Sequence, residues 1–167
     1  LNDYLSDMSK IILDSGGTID KYEGDAIIAF WNAPARVEHH ARSALEAAWA
    51  CQKKLEERRA DSEKRAQGRP FKMRIGLNIG FAIVGNMGSV SRFDYTMLGD
   101  SVNLAARLEG LNKQFGSYTM CAEAAKKQAE ESGTVLKFRE LARAAVVGKS
   151  EPVVVYEVMD EKTYNEK

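Results

Sequence analysis

Two short strand-like runs, residues 18–22 and 26–31, are separated only by Glu23-Gly24-Asp25, and this spacing constrains the fold more than any other feature of the chain. Three residues are enough for a tight reversal and too few for a crossover, so the runs pair as an antiparallel hairpin. Strict alternation of strand and helix is therefore missing, and a doubly wound parallel sheet is not expected. Hairpins mixed with a few helices give an α+β domain.

The flanking pattern agrees. Leu1, Tyr4, Leu5, Met8, Ile11 and Ile12 recur at helical spacing and make one apolar face, which ends at Gly16-Gly17. Residues 37–59 are rich in Ala, Leu, Glu and Lys and read as a long helix. Residues 60–70 read as a polar loop. Phe71, Met73, Ile75 and Leu77 alternate with polar or small residues as in a half-buried strand. Further strands are expected at 80–84, 93–98, 118–121, 135–138 and 153–158, with Gly85-Asn86-Met87-Gly88-Ser89 as a glycine-bearing loop. Asp100 is expected to cap a helix running to about residue 114, and another helix covers 122–131. Residues 161–167 read as a frayed polar tail.

Composition excludes several classes. The 167 residues carry 24 Lys+Arg and 24 Asp+Glu, a balance that argues against a nucleic-acid partner. With 44% hydrophobic and 29% charged residues the chain is globular, not disordered. No apolar run approaches the roughly 20 residues that span a bilayer, and Leu1-Asn2-Asp3-Tyr4 lacks the basic start of a secretory signal. Cys51 and Cys121, the only two cysteines, are expected as reduced thiols in a cytoplasmic compartment. The missing initiator Met marks the chain as an expected fragment of a longer one.

Few residues carry chemistry in isolation. Gly24-Asp25 in a hairpin is usually structural, although a carboxylate at a tight tip near Lys21 suits a hard cation such as Mg²⁺. Asn103 and Arg107 are four apart and share a helix face, where an amide and a guanidinium suit charge developing on a phosphate. The bland alternative is a surface Arg covering apolar neighbours. Gly85-Asn86-Met87-Gly88 lacks the Gly-Lys-Ser/Thr ending of a P-loop. Glu38-His39-His40 is a poor chelate, because adjacent helical residues point about 100° apart.

Taken together, the motifs carry a resemblance that composition does not show. Residues 16–31, GGTIDKYEGDAIIAFW, resemble the metal-hairpin motif of class III nucleotidyl cyclases. Gly85-Asn86-Met87-Gly88-Ser89 followed by residues 92–110, RFDYTMLGDSVNLAARLEG, is similar to the second signature of that family, and Gly148-Lys149-Ser150-Glu151-Pro152-Val153 resembles its C-terminal turn. The resemblance covers nearly the whole chain. It implies a ferredoxin-like α+β sandwich, with an antiparallel-rich central sheet and helices mainly on one face. It assigns residues 1–160 to a cyclase catalytic domain and leaves 161–167 as the tail.

The implied activity is conversion of ATP to 3′,5′-cyclic AMP and pyrophosphate, with two Mg²⁺ or Mn²⁺ ions, at the interface of a head-to-tail homodimer. In that scheme Asp25 falls on a metal-binding position, Lys21 and Thr96 on the two positions that read the purine edge, and Asn103 and Arg107 on the pair that orients the ribose and stabilises the transition state. A Lys donor suits adenine N1, an acceptor, and opposes guanine N1, which carries a hydrogen; Thr96 accepts from the adenine 6-amino group. An adenylyl cyclase is therefore favoured, with a guanylyl cyclase or a non-catalytic cyclase-like dimerisation and regulatory module as alternatives. The family's first metal aspartate would lie before Leu1, so the fragment itself is expected to be inactive. A phosphate-binding Lys of the family falls on Val147, leaving Lys149 or Arg92 as its expected substitutes. An upstream sensor or membrane domain in the parent protein completes what the resemblance implies.

Overall fold

The computed structural model describes residues 2–64, 72–146 and 148–167. The helix of the N-terminal apolar face, α1 (Asn2–Asp14), leads into the expected hairpin, β1 (Thr18–Glu23) and β2 (Ala26–Phe30), which pairs antiparallel from Thr18↔Phe30 to Glu23↔Ala26. Gly24 turns the tip with φ +61°, a left-handed conformation that glycine adopts without penalty. After α2 (His40–Lys64) come β3 (Ile75–Leu77), β4 (Ile83–Ser89), β5 (Arg92–Leu98) and α3 (Asp100–Phe115). The chain closes with β6 (Thr119–Ala122), α4 (Glu123–Glu131), β7 (Lys137–Ala144), β8 (Val153–Met159) and α5 (Glu161–Asn165). Among the described residues no helix is long and apolar enough to cross a membrane.

The main sheet has the order β3-β6-β8-β7; β3 runs parallel to β6 and the other pairs are antiparallel. All four residues of β6 are buried, so alternation along this strand feeds two cores. Met120 and Ala122 pack with Leu104 and Leu108 of α3 and with Val155. Cys121 packs on the other face with Leu45 of α2, Ala125 and Ala129 of α4, and Val158. Most of the helical mass lies on this second side, where α1 also leans on α2 through Met8, Cys51 and Leu55. The α3 helix lies across β3 at Gly76, where a Cβ would come within 2.3 Å of the Ala105 carbonyl and the Glu109 amide. Only glycine permits that approach. Complete burial of Leu108 in the α3 core contributes about 1.5–3 kcal/mol.

The structure departs from the sequence expectations at several points. The 60–70 segment read as a loop is helical through Lys64, since Ala, Glu and Lys sustain the α2 helix; residues 65–71, with Phe71 of the expected strand, lie outside the described residues. The segment Gly85-Asn86-Met87-Gly88-Ser89, expected as a loop, belongs to β4. It pairs residue by residue with β5, from Ile83↔Leu98 to Ser89↔Arg92, and the cross-strand ladder overrides the weak strand preference of its glycines. Asp100 is not the cap of α3: Gly99 holds that position, and Asp100 is the first helical residue, where its charge meets the positive helix end. The 161–167 tail contains α5. Asp160 caps it by accepting a 2.8 Å hydrogen bond from the Thr163 amide, and Lys167 reaches back to buried Glu157.

Candidate active site

The two residues expected to read a purine meet through a third that the sequence did not single out. Pairing of β1 with β2 slips between Ile19 and Lys21, so Asp20 is the extra residue of a β-bulge. The insertion breaks the two-residue alternation of the strand. The Asp20 side chain is 3% exposed. Thr96 Oγ1 of β5 donates to its Oδ2 at 2.7 Å, across 76 residues of sequence. Its Oδ1 stands 3.8 Å from Lys21 Nζ, outside hydrogen-bond reach. Lys21 remains largely exposed, whereas Thr96 is buried. A second tie, between the rings of Phe30 and Tyr95 at 5.9 Å, holds β5 against the β1–β2 hairpin.

Asn103 and Arg107 are both exposed and one turn apart on α3, the helix that directly follows β5. Packing of Leu104 and Leu108 into the core turns the intervening helix face outward and fixes that pair. Arg107 Nη1 donates to the Ala145 carbonyl, in the connection between β7 and β8. The same connection carries Lys149, whose amide donates to the Val146 carbonyl. A Cβ at neighbouring Gly148 would stand 4.0 Å from Asp100 Oδ2, which places the turn beside the N-terminal end of α3. Val147 lies outside the described residues.

Arg92 does not join this group within one chain. It opens β5, four residues before Thr96 and hence roughly 13 Å along the strand, and its guanidinium stands 3.8 Å from Asp94. Asp25 sits exposed at the tip of the β1–β2 hairpin. Its charge is felt by Tyr4, whose hydroxyl is pushed above its ordinary pKa first by burial, then by Cys51 and Asp25. As a hard-oxygen ligand Asp25 fits a divalent cation, but it is a single ligand. Among the described residues no group of three or more His, Cys, Asp or Glu side chains could hold a metal ion. Both cysteines are free and buried, and burial pushes each thiol up to about 12.

The sequence held one signal for Asp20: an aspartate inside an otherwise strand-like run, where this residue type is depleted.

Fold and site define an α+β domain in which Lys21, Asp20 and Thr96 meet where the two hairpins touch, with Asn103 and Arg107 on the helix that follows. The model of the adenylate and guanylate cyclase catalytic domain matches residues 1–156, and the chain belongs to that family. It is 38% identical to adenylate cyclase 1 of Rhizobium meliloti (strain 1021), with 95% of this chain and 23% of the relative covered. It is 37% identical to the adenylate cyclase of Anabaena cylindrica, with 95% and 31% covered. The chain thus spans about a quarter to a third of these curated relatives. Among solved structures, the adenylyl cyclase CyaB from P. aeruginosa superposes with a TM-score of 0.81 at 34% identity, covering 96% of this chain and 80% of that one. The guanylyl cyclase Cya2 gives a TM-score of 0.81 at 29% identity, covering 96% and 78%. The ferredoxin-like α+β sandwich of the cyclase family is therefore the fold of this chain.

Proposed function

We propose that this domain converts ATP to 3′,5′-cyclic AMP and pyrophosphate at the interface of a head-to-tail homodimer. The observation that carries the reading is the convergence of Lys21 and Thr96 on Asp20, with the Asn103–Arg107 face on the next helix. Lys21 supplies a donor for adenine N1, and Thr96 an acceptor for the 6-amino group. The 3′-hydroxyl oxygen attacks the α-phosphorus, the bond from that phosphorus to the pyrophosphate oxygen breaks, and the hydroxyl proton passes to water. Asn103 orients the ribose. Arg107 exchanges the Ala145 carbonyl for the phosphate oxygens and faces the charge that grows in the transition state. Lys149 and, across the dimer, Arg92 are assigned to the polyphosphate.

Asp25 is assigned to Mg²⁺ or Mn²⁺ binding; two such ions, when bound, supply positive charge beside the phosphates. Because Asp25 is a single ligand, the 167 residues on their own are expected to bind metal weakly and turn over slowly. Exposed apolar residues on and around the β4–β5 hairpin, Phe81, Ile83, Val90 and Leu98, support burial against a second copy. Free, buried thiols favour a cytoplasmic setting. The partial coverage of the curated relatives supports a larger protein in which this domain answers a sensor or membrane-borne segment.

The test is cyclic-nucleotide formation by the full-length protein, with ATP and GTP in parallel and Mg²⁺ or Mn²⁺ present. Cyclic AMP as the main product is expected. A GTP preference replaces the adenylyl reading with the guanylyl one, and no product from either nucleotide leaves the non-catalytic module.

A further inference from the structure

Asp20 is an unusual residue to find where it lies. A buried carboxyl group costs free energy unless its oxygens are partnered. Here one oxygen accepts from Thr96, while Oδ1 is, among the described residues, the buried side-chain oxygen without a hydrogen-bond partner. The β-bulge that introduces Asp20 also costs a regular ladder pair between β1 and β2. An apolar residue would spare the first cost, and deletion of the extra residue would spare the second. What the arrangement achieves is control of one hydrogen atom. A free threonine hydroxyl rotates and serves as donor or acceptor. With its hydrogen committed to Asp20 Oδ2, Thr96 Oγ1 offers only lone pairs to a ligand.

We propose that Asp20 is a specificity-positioning residue, which holds the Thr96 hydroxyl as an acceptor and so matches the site to the exocyclic amino group of an adenine nucleotide. The proposal rests on the cyclase reading above and adds the element that makes threonine selective. Guanine presents a carbonyl oxygen at the equivalent position, which needs a donor. Two acceptors then face each other, and neither is satisfied. The bulge brings Asp20 and Lys21 close despite their adjacency in a strand, so Oδ1 also stands beside the Lys21 ammonium at 3.8 Å.

The decisive variant is Asp20→Asn in the full-length protein. The Lys21 ammonium draws the amide oxygen to its own side, which turns the amide NH₂ toward Thr96. Thr96 then accepts from Asn, and its hydrogen is released toward the base. The ratio of kcat/KM for ATP to that for GTP is expected to fall about tenfold, the worth of one hydrogen bond, with part of the change a gain in GTP turnover. Thr96→Val should lower the same ratio, and Asp20→Asn added to Thr96→Val should leave it unchanged further. Asp20→Ala, which deletes the polar group rather than inverting it, serves if the Asn variant does not fold, and should lower the ratio in the same direction.

An equal loss toward both nucleotides in these Asp20 variants makes Asp20 merely structural and overturns the proposal. If Thr96→Val changes the ratio and the Asp20 variants do not, the proposal falls while the cyclase reading stands. If Thr96→Val leaves the ratio unchanged, Thr96 does not read the base, and the proposal falls with that assignment. Absence of turnover in the unaltered protein overturns both.

Discussion

The main sheet and the pair of hairpins solve opposite problems. In the sheet, Met120, Cys121 and Val155 are completely buried, and helices cover both faces. In the hairpin region, Phe81, Ile83, Val90 and Leu98 stand in solvent, and a carboxyl oxygen is buried without a partner. The first region is finished within one chain. The second gives up stability for position: it carries Lys21, Asp25 and Thr96, and its apolar side chains stay exposed in the single chain. On the proposed reading, stability and chemistry belong to different strands, with α3 as the link, since its inner face fills the core and its outer face carries Asn103 and Arg107.

The sharpest way to break this comparison is to cut into each region in turn. Leu108→Ala should lower the unfolding free energy by about 2–5 kcal/mol in urea denaturation, because the fully buried side chain leaves a cavity that its packed neighbours fill only in part. Phe81→Ala should change it by less than about 0.5 kcal/mol while weakening self-association in sedimentation. Similar unfolding losses in the two variants would mean that the division is not real.

A slightly smaller effect, on rate rather than stability, is expected at the outer face of α3. Replacing Arg107 or Asn103 by Ala should lower kcat by roughly 10²–10³ with little change in KM, and the urea midpoint should stay put. Mixing Asp25→Ala protein with Arg107→Ala protein should restore part of the activity if each site draws Asp25 from one chain and Arg107 from the other. No recovery, with heterodimers demonstrated, would place all of these groups in one chain.

The smallest effect belongs to the finished region. Hydrogen bonds from Thr163 are the first cause holding the Asp160 carboxyl below its ordinary range. A depressed carboxyl pKa stabilises the folded state at neutral pH, and the contribution fades as pH falls through the folded-state pKa. Asp160→Ala should cost about 1 kcal/mol at pH 7 and nothing further once the wild-type carboxyl is protonated. A cost that persists unchanged at low pH would show that the cap does not depend on charge.

Local features were legible in the sequence. The three-residue gap forced the β1–β2 hairpin, since chain geometry leaves no other connection. The four-residue spacing of Asn103 and Arg107 put them on one face of α3, since helical periodicity is a property of neighbours. The apolar face of α1 and its end at Gly16-Gly17 followed for the same reason.

What the sequence left open needed a partner distant along the chain. Gly85-Asn86-Met87-Gly88-Ser89 reads as a loop until β5 pairs with it, because strand formation depends on the opposite strand more than on the residue itself. The 161–167 segment is polar throughout, yet Asp160 and buried Glu157 give α5 its cap and an anchor. Asp20 is the clearest case. Its one-residue bulge appears only in the register that β1 takes against β2, and its bond to Thr96 only when β1 meets β5 across 76 residues. Sequence alone determined which groups could share a helix face or a hairpin, because such neighbours are fixed by short-range geometry. Only tertiary structure decided which oxygen would take the hydrogen of Thr96, because burial and hydrogen-bond direction exist only once distant strands have met.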